Sequence, residues 1–222
     1  MNVRARNELG DNVATKARIL DAAERLFADK GFDATSLRTI TAAAAVNLAA
    51  VNYHFGSKIG LLEEVFRRRV EPLNAERLRQ LDMLDEAAGS GAASVAAILR
   101  TFIEPALQVS QDPARGGMVF MRLLGRSYVE PNEHLRRFMP GLYQDIKLRY
   151  GEALGAALPQ LGAEDLYWRM HFVIGTIAYA MAGTDALHLL AACPYCDPDD
   201  VDGMTERLVE FLSAGMKAEK PA

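Results

Sequence analysis

The chain has 222 residues, half of them apolar and 24 % charged, which suits one or two compact domains with a sizeable core and argues against disorder. No apolar run reaches the roughly 18 residues that a membrane span needs. The arginines of the opening "MNVRARNELGDNVATKARIL" precede no apolar stretch of the signal-peptide kind, so a soluble cytoplasmic protein without a membrane partner is expected. The net charge of −4 looks wrong for a nucleic-acid binder until it is divided. Residues 1–70 carry 11 Lys and Arg against 8 Asp and Glu, a net of +3, which leaves −7 for the remainder. A basic head on an acidic body implies two tasks, with only the head facing an anion.

Glycine and proline punctuate the chain. "TKARILDAAERLFADKGF" places Ile19, Ala23, Leu26 and Phe27 at helical spacing, with Thr15 as a candidate cap and Gly31 as a stop. "TSLRTITAAAA" reads as a short second helix opened by Thr35 or Ser36, and "NLAAVNYHF" as a third, closed by Gly56. "SKIGLLEEVFRRRV" starts a fourth helix that Ser57 can cap, with Pro72 positioned to kink or end it. Longer helical patterns follow near 90–110, 117–129, 132–157, 163–191 and 199–217. No stretch alternates with the period of a strand. The expected fold is all-α: a three-helix head over residues 1–56, and a larger body over 57–222 that begins with a linking helix.

Two short helices joined by a tight turn, after a longer supporting helix, form the helix-turn-helix plan. The second helix of the pair must fit a groove about 12 Å wide. Ala49 and Ala50 are small enough for close approach. Val51 and Phe55 can turn inward onto Ile19, Leu37 and Ile40, which leaves Asn47, Asn52, Tyr53 and His54 facing out. This outward set points to double-stranded DNA. An asparagine amide can pair with adenine N6 and N7, phosphate contacts supply most of the affinity, and Lys58 at a helix start suits a phosphate. The alternative for any single residue is ordinary packing: Tyr53 and His54 as neighbours of Phe55, Lys58 as a solvated cap neighbour.

"TSLRTITAAAAVNLAAVNYHFGSKIGLL" resembles the DNA-binding signature of the TetR family of bacterial repressors. The resemblance implies that Tyr53, His54 and Lys58 hold phosphates with help from Thr35 or Ser36, and that Asn47, Leu48, Ala49 and Asn52 lie where base edges are read. One position departs from the pattern: Ala45 stands where the family usually has glycine in the turn. Alanine in a left-handed conformation costs on the order of 1 kcal/mol.

The body is rich in aromatic and flexible apolar residues. "GMVFMRLLGRSYVE" supplies Met118, Phe120, Met121, Leu124 and Tyr128; "LYWRMHFVIGTIAYAMAG" supplies Trp168, Met170, Phe172, Ile174, Tyr179 and Met181. Methionine adapts to long apolar ligands, and Gly175 and Gly183 leave room beside a helix. Arg122, Arg169 and His171 lie within apolar helices and need counter-charges. Glu104, Glu130 and Asp165 can supply them, or a ligand carboxylate can. "FMRLLG", "HLRRFM", "LYWRMHFVIG" and "FLSAGM" resemble the ligand domain of PsrA-type TetR regulators, in which long-chain fatty acids or their thioesters release the protein from DNA and fatty-acid degradation genes are controlled. The candidate ligand residues are Met118, Met121, Arg122, Gly125, Trp168, His171, Phe172, Gly175 and Tyr179. A narrow apolar tunnel with one basic end is the expected site.

Helix-turn-helix heads work in pairs on a near-palindrome. The helices near 163–191 and 199–217 are long and apolar enough to form a homodimer across a two-fold axis. Other readings are a TetR-type regulator of a different hydrophobic effector, and a thiol-redox protein using Cys193 and Cys196 of "CPYC". The redox reading fits poorly, because such a motif should follow a strand and because nearby acids raise a thiol pKa. His54, His134, His171 and His188 are too scattered to suggest a metal site, no nucleophile sits in a known signature, and no cofactor is expected.

Overall fold

The computed structural model describes residues 3–89, 91–129, 132–181 and 200–219, and every regular element among them is helical. The head comprises α1 (Val3–Lys30), α2 (Leu37–Ala44) and α3 (Leu48–Phe55). The long α4 (Lys58–Ala88) leads into α5 (Val95–Gln111), α6 (Gly117–Val129), α7 (Glu133–Leu142), α8 (Gln144–Ala157), α9 (Ala163–Met181) and α10 (Val201–Lys217), with a 3-10 turn at Pro113–Arg115. No helix among the described residues is long and apolar enough to cross a membrane.

Local chemistry places the short helices. Ser36 Oγ accepts from the Thr39 amide at 3.1 Å, Asn47 Oδ1 from Ala50 at 2.8 Å, and Ser57 Oγ from Gly60 at 3.0 Å. Each bond satisfies an amide that a helix start otherwise leaves free, contributing about 1 kcal/mol. Ala45 adopts φ 52° and ψ 50° in the α2–α3 turn, the left-handed geometry its place in the motif demands, and is the sole non-glycine with positive φ among the described residues. Ile19, Phe27, Ile40 and Val51 are fully buried at the centre of the head, and Leu61 and Phe66 of α4 extend that core.

Helix boundaries differ from expectation in two places. α1 begins at Val3, so Thr15 is not a cap; its hydroxyl accepts instead from Arg18. Nothing upstream of Thr15 except Gly10 opposes propagation of the helix. The stretch expected as one helix over 132–157 is two, divided at Tyr143, after Pro140 has removed an amide donor and Gly141 has weakened the last turn. Pro72, in contrast, lies inside α4 without ending it. The Cys193–Cys196 segment, Gly183, His188, Glu130 and the 182–191 end of the helix expected over 163–191 lie outside the described residues.

At about 1.5 Å per residue, the 31-residue α4 spans about 45 Å and carries the head's last helix start into the body. α5 forms the axis of the body, packing on α4, α6, α8 and α10. Head and body are tied through polar contacts. Buried Glu24 of α1 accepts from both Arg68 and Arg69 of α4, and Arg69 Nη1 reaches the Ala114 carbonyl at 2.9 Å. Arg126 of α6 donates to the Ala28 carbonyl at 3.1 Å. Gly116, at φ 104°, allows this closeness: a Cβ there would lie 2.7 Å from Phe120 Cβ and 2.9 Å from Glu24 Oε1.

Candidate nucleic-acid interface and effector cavity

Val51 fixes the rotation of α3. With that side chain fully buried and Phe55 partly so, the other faces of an eight-residue helix must point to solvent. Leu48, Ala49, Asn52 and Tyr53 are exposed, Tyr53 to 77 %, and His54 is half-buried. The Tyr53 and His54 rings meet edge to face at 5.1 Å. The Asn52, Tyr53 and His54 side chains make no hydrogen bonds to the described residues, so their donors and acceptors stand free. Asn47 is exposed but its Oδ1 is engaged in capping α3, which leaves only its amide nitrogen for an outside partner. Lys58 lies at the start of α4 with Nζ 4.2 Å above the Phe32 ring. Desolvation lowers its pKa, against the opposing pull of Asp33. Gly60 lets α4 start close to the end of α3: a Cβ there would sit 2.3 Å from the Phe55 carbonyl oxygen.

Of the two hydroxyls ahead of α2, only one is accessible. Ser36 is exposed, with its Oγ near the α2 start. Thr35 is 1 % exposed, and its hydroxyl donates to the Gly31 carbonyl at 2.8 Å. It stitches the α1–α2 turn and cannot reach a phosphate, which corrects the expectation for that residue.

The body contains a cavity of about 950 Å³ between α4, α5, α6, α7, α8 and α9. Its apolar wall includes Phe102, Leu124, Leu135, Met139, Met170 and Ile177. Arg136, Lys147 and Tyr167 are exposed lining residues and mark its mouth. The deep side is polar. Arg77 of α4, 3 % exposed, donates from Nε to the Phe102 carbonyl at 2.9 Å and from Nη1 to Asn74 Oδ1 at 3.2 Å, with its guanidinium 3.9 Å from the Phe102 ring centre. Tyr150 donates to the Arg77 carbonyl at 3.2 Å and touches the Thr101 hydroxyl at 2.9 Å. Burial pushes the Tyr150 phenol up to about 12. The Tyr128 and Tyr143 hydroxyls lie 3.4 Å apart. Tyr128 keeps surface open as a lining residue, yet the protein crowding it raises its pKa well above the ordinary value.

Of the nine residues expected to hold a ligand, only His171 lines this cavity. Met121 and Gly125 are buried on other faces of α6, and Met118 is exposed near the start of that helix. Arg122 turns toward the head, its Nη2 3.8 Å from Asp29. Trp168 stands exposed outside the cavity. Phe172, Gly175 and Tyr179 line a separate, shallow hollow of about 400 Å³ on the outer side of α9. Arg169 finds its acceptors at the end of α10, donating to the Met216 and Ala218 carbonyls at 2.6 Å each. The residue that sequence reading missed is Arg77. Its signal is visible in retrospect: Leu62, Phe66, Val70, Leu73, Arg77 and Leu81 form one stripe, and the arginine holds a core position on it.

The head and body correspond to two family descriptions. Residues 19–65 match "Bacterial regulatory proteins, tetR family", and residues 100–215 match "Tetracyclin repressor-like, C-terminal domain". The chain belongs to the TetR family, and it is a DNA-binding transcriptional regulator of that type rather than an enzyme. A probable HTH-type transcriptional regulator of Bacillus subtilis (strain 168), YttP, is 45 % identical over 53 residues. That match covers 24 % of this chain and about a quarter, 26 %, of YttP. Among solved structures, the fatty acid degradation regulator FadR of Bacillus halodurans superposes with a TM-score of 0.63 at 16 % identity, over 92 % of this chain and 97 % of its own. FadR of Bacillus subtilis in complex with stearoyl-CoA gives 0.62 at 17 %, over 90 % and 98 %. The ketosteroid regulator KstR2 of Mycobacterium tuberculosis gives 0.59 at 15 %, over 92 % and 95 %. At these identities the likeness is one of fold.

Proposed function

We propose that this regulator is a homodimeric repressor that leaves a near-palindromic operator when a long-chain fatty acyl effector enters the body cavity. Asn52, with its amide free on the outward side of α3, reads a base edge, aided by Asn47, Leu48 and Ala49. Tyr53, His54, Lys58 and Ser36 hold phosphates. The observation that carries the effector reading is the cavity itself. Its volume stands at the upper end of the roughly 300–1,000 Å³ of small-molecule pockets, and its wall is largely apolar. Each methylene buried there contributes about 0.8 kcal/mol. The FadR structures share the fold; one is a fatty acid degradation regulator and the other holds stearoyl-CoA, which fits this reading.

The dimer uses α9 and α10. Trp168, Phe172, Gly175 and Tyr179 recur at helical spacing on the outer face of α9 and, glycine aside, stand at least half exposed; Phe211 of α10 is 70 % exposed. Aromatic surface of this extent calls for a partner. Ligand and DNA communicate because α6 serves both: Leu124 and Tyr128 line the cavity, while Arg126 holds the Ala28 carbonyl of α1. A ligand that favours one setting of α6 thereby favours one placement of the heads. The test is a gel shift with DNA from upstream of the protein's own coding sequence, repeated with oleate and with oleoyl-CoA. Release by micromolar acyl ligand is expected. Failure to bind at low salt overturns the operator reading, and retention of DNA with both ligands overturns the effector reading.

A further inference from the structure

Arg77 is a buried cation without an anion. Two of its five N–H groups have protein acceptors, and both acceptors are neutral. No carboxylate of the described residues lies within ion-pair distance of it. Three acids near Arg77 in the same helix are engaged: Glu76 with Arg79 and Gln80, Asp82 and Asp85 with Arg149. A guanidinium held this deep is costly unless a negative partner arrives. The remaining donors belong to a residue of the cavity wall, where the Tyr128 and Tyr143 hydroxyls also lie. The pair Tyr128 and Tyr150 both register the Arg77 charge.

We infer that Arg77, on the buried wall of the cavity, is a carboxylate receptor with the Tyr128 and Tyr143 hydroxyls of the same lining as further donors, so that the effector binds as a free acid with its headgroup turned to Arg77. This rests on the fatty-acyl reading and narrows it. A planar guanidinium fork matches a carboxylate, and two phenol O–H groups supply further donors. The geometry also sets a selectivity. A CoA thioester offers no carboxylate, and its carbonyl cannot approach the buried Arg77 without bringing the bulky, anionic CoA group into a largely apolar cavity. A thioester can enter only tail first, which leaves Arg77 unmatched and places an apolar terminus against it.

Isothermal titration calorimetry of the full chain with oleate, methyl oleate and oleoyl-CoA tests this, with Arg77→Met as the variant and circular dichroism melts as the folding control. Wild type is expected to bind oleate at least about tenfold more tightly than either ester, the scale of a hydrogen-bonded charge. Arg77→Met should remove that preference and leave methyl oleate binding within about twofold. Should Arg77→Met fail to fold, Tyr128→Phe and Tyr143→Phe carry the test, each lowering oleate affinity about three- to tenfold with no effect on the methyl ester. Equal wild-type affinity for acid and ester, or a preference that survives in the variants, overturns the receptor and leaves the fatty-acyl reading standing. Absence of binding by all three ligands overturns both.

Discussion

The helix-turn-helix head and the helical body keep their polar groups on opposite sides of their cores. In the head, the interior is closed and apolar around Phe27, Ile40 and Val51, and the Asn52, Tyr53 and His54 side chains have no hydrogen-bond partner among the described residues. In the body, Arg77, Tyr150 and Thr101 are buried beside an open cavity. An exposed polar group costs nothing while it waits for DNA, because water satisfies it. A buried one must be paired, so every unfilled donor inside the body is informative. The head can therefore be understood from its surface and the body from the gaps in its interior.

That contrast can be broken most sharply at Gly60. A Cβ there meets the Phe55 carbonyl oxygen, so Gly60→Ala should displace α3 against α4, lower stability by about 1–3 kcal/mol in thermal melts, and abolish operator binding in a gel shift. Calorimetric ligand binding should survive, since the cavity lies elsewhere. A smaller change confined to the reading surface is Asn52→Ala. Operator affinity should fall about 10–100-fold while non-specific affinity and the melting temperature stay constant. Arg126→Ala addresses the joint between the two regions: ligand should still bind, but its effect on DNA affinity should shrink by a large part of the roughly 5–150-fold typical of such coupling.

Two weaker effects concern the head alone. Ala45→Gly relieves the left-handed alanine and should raise stability by about 0.5–1 kcal/mol, partly offset by the freer unfolded chain. The Glu64 carboxyl, held below its usual range first by the Lys16 hydrogen bond that joins α1 to α4, contributes stability that is present above the ordinary carboxylate pKa and lost as pH falls through the depressed one. The pair is partly exposed, so Lys16→Met should remove less than about 1 kcal/mol of that acid-side slope in pH-dependent melts.

How far the sequence could be read follows the same division. Ser36, Asn47, Ser57 and Gly31 act through neighbours three or four residues away, so the short helices are visible from spacing alone, whereas Ala45 stands out only against the glycine that the resemblance leads one to expect. Thr35 was misjudged because two adjacent hydroxyls look alike until one is seen to bond back to Gly31. The cavity depends on Arg77, Tyr128, Tyr143 and Tyr150, which come from three helices and the α7–α8 junction, and no local pattern announces that they converge. The aromatic residues of α9 are legible in the sequence both as candidate ligand contacts and as part of a candidate dimer helix. Helical periodicity shows which residues share a face, and it does not reveal whether that face meets a cavity, a second subunit or water.

Trp168 is the chain's only tryptophan. It lies on the outward stripe of α9, with its ring 5.8 Å from that of His171 on the cavity wall. One indole thus borders both the surface where a second subunit would settle and the chamber beneath it. Its emission colour should shift to the red when dilution separates the subunits, so assembly can be followed optically in the unlabelled protein.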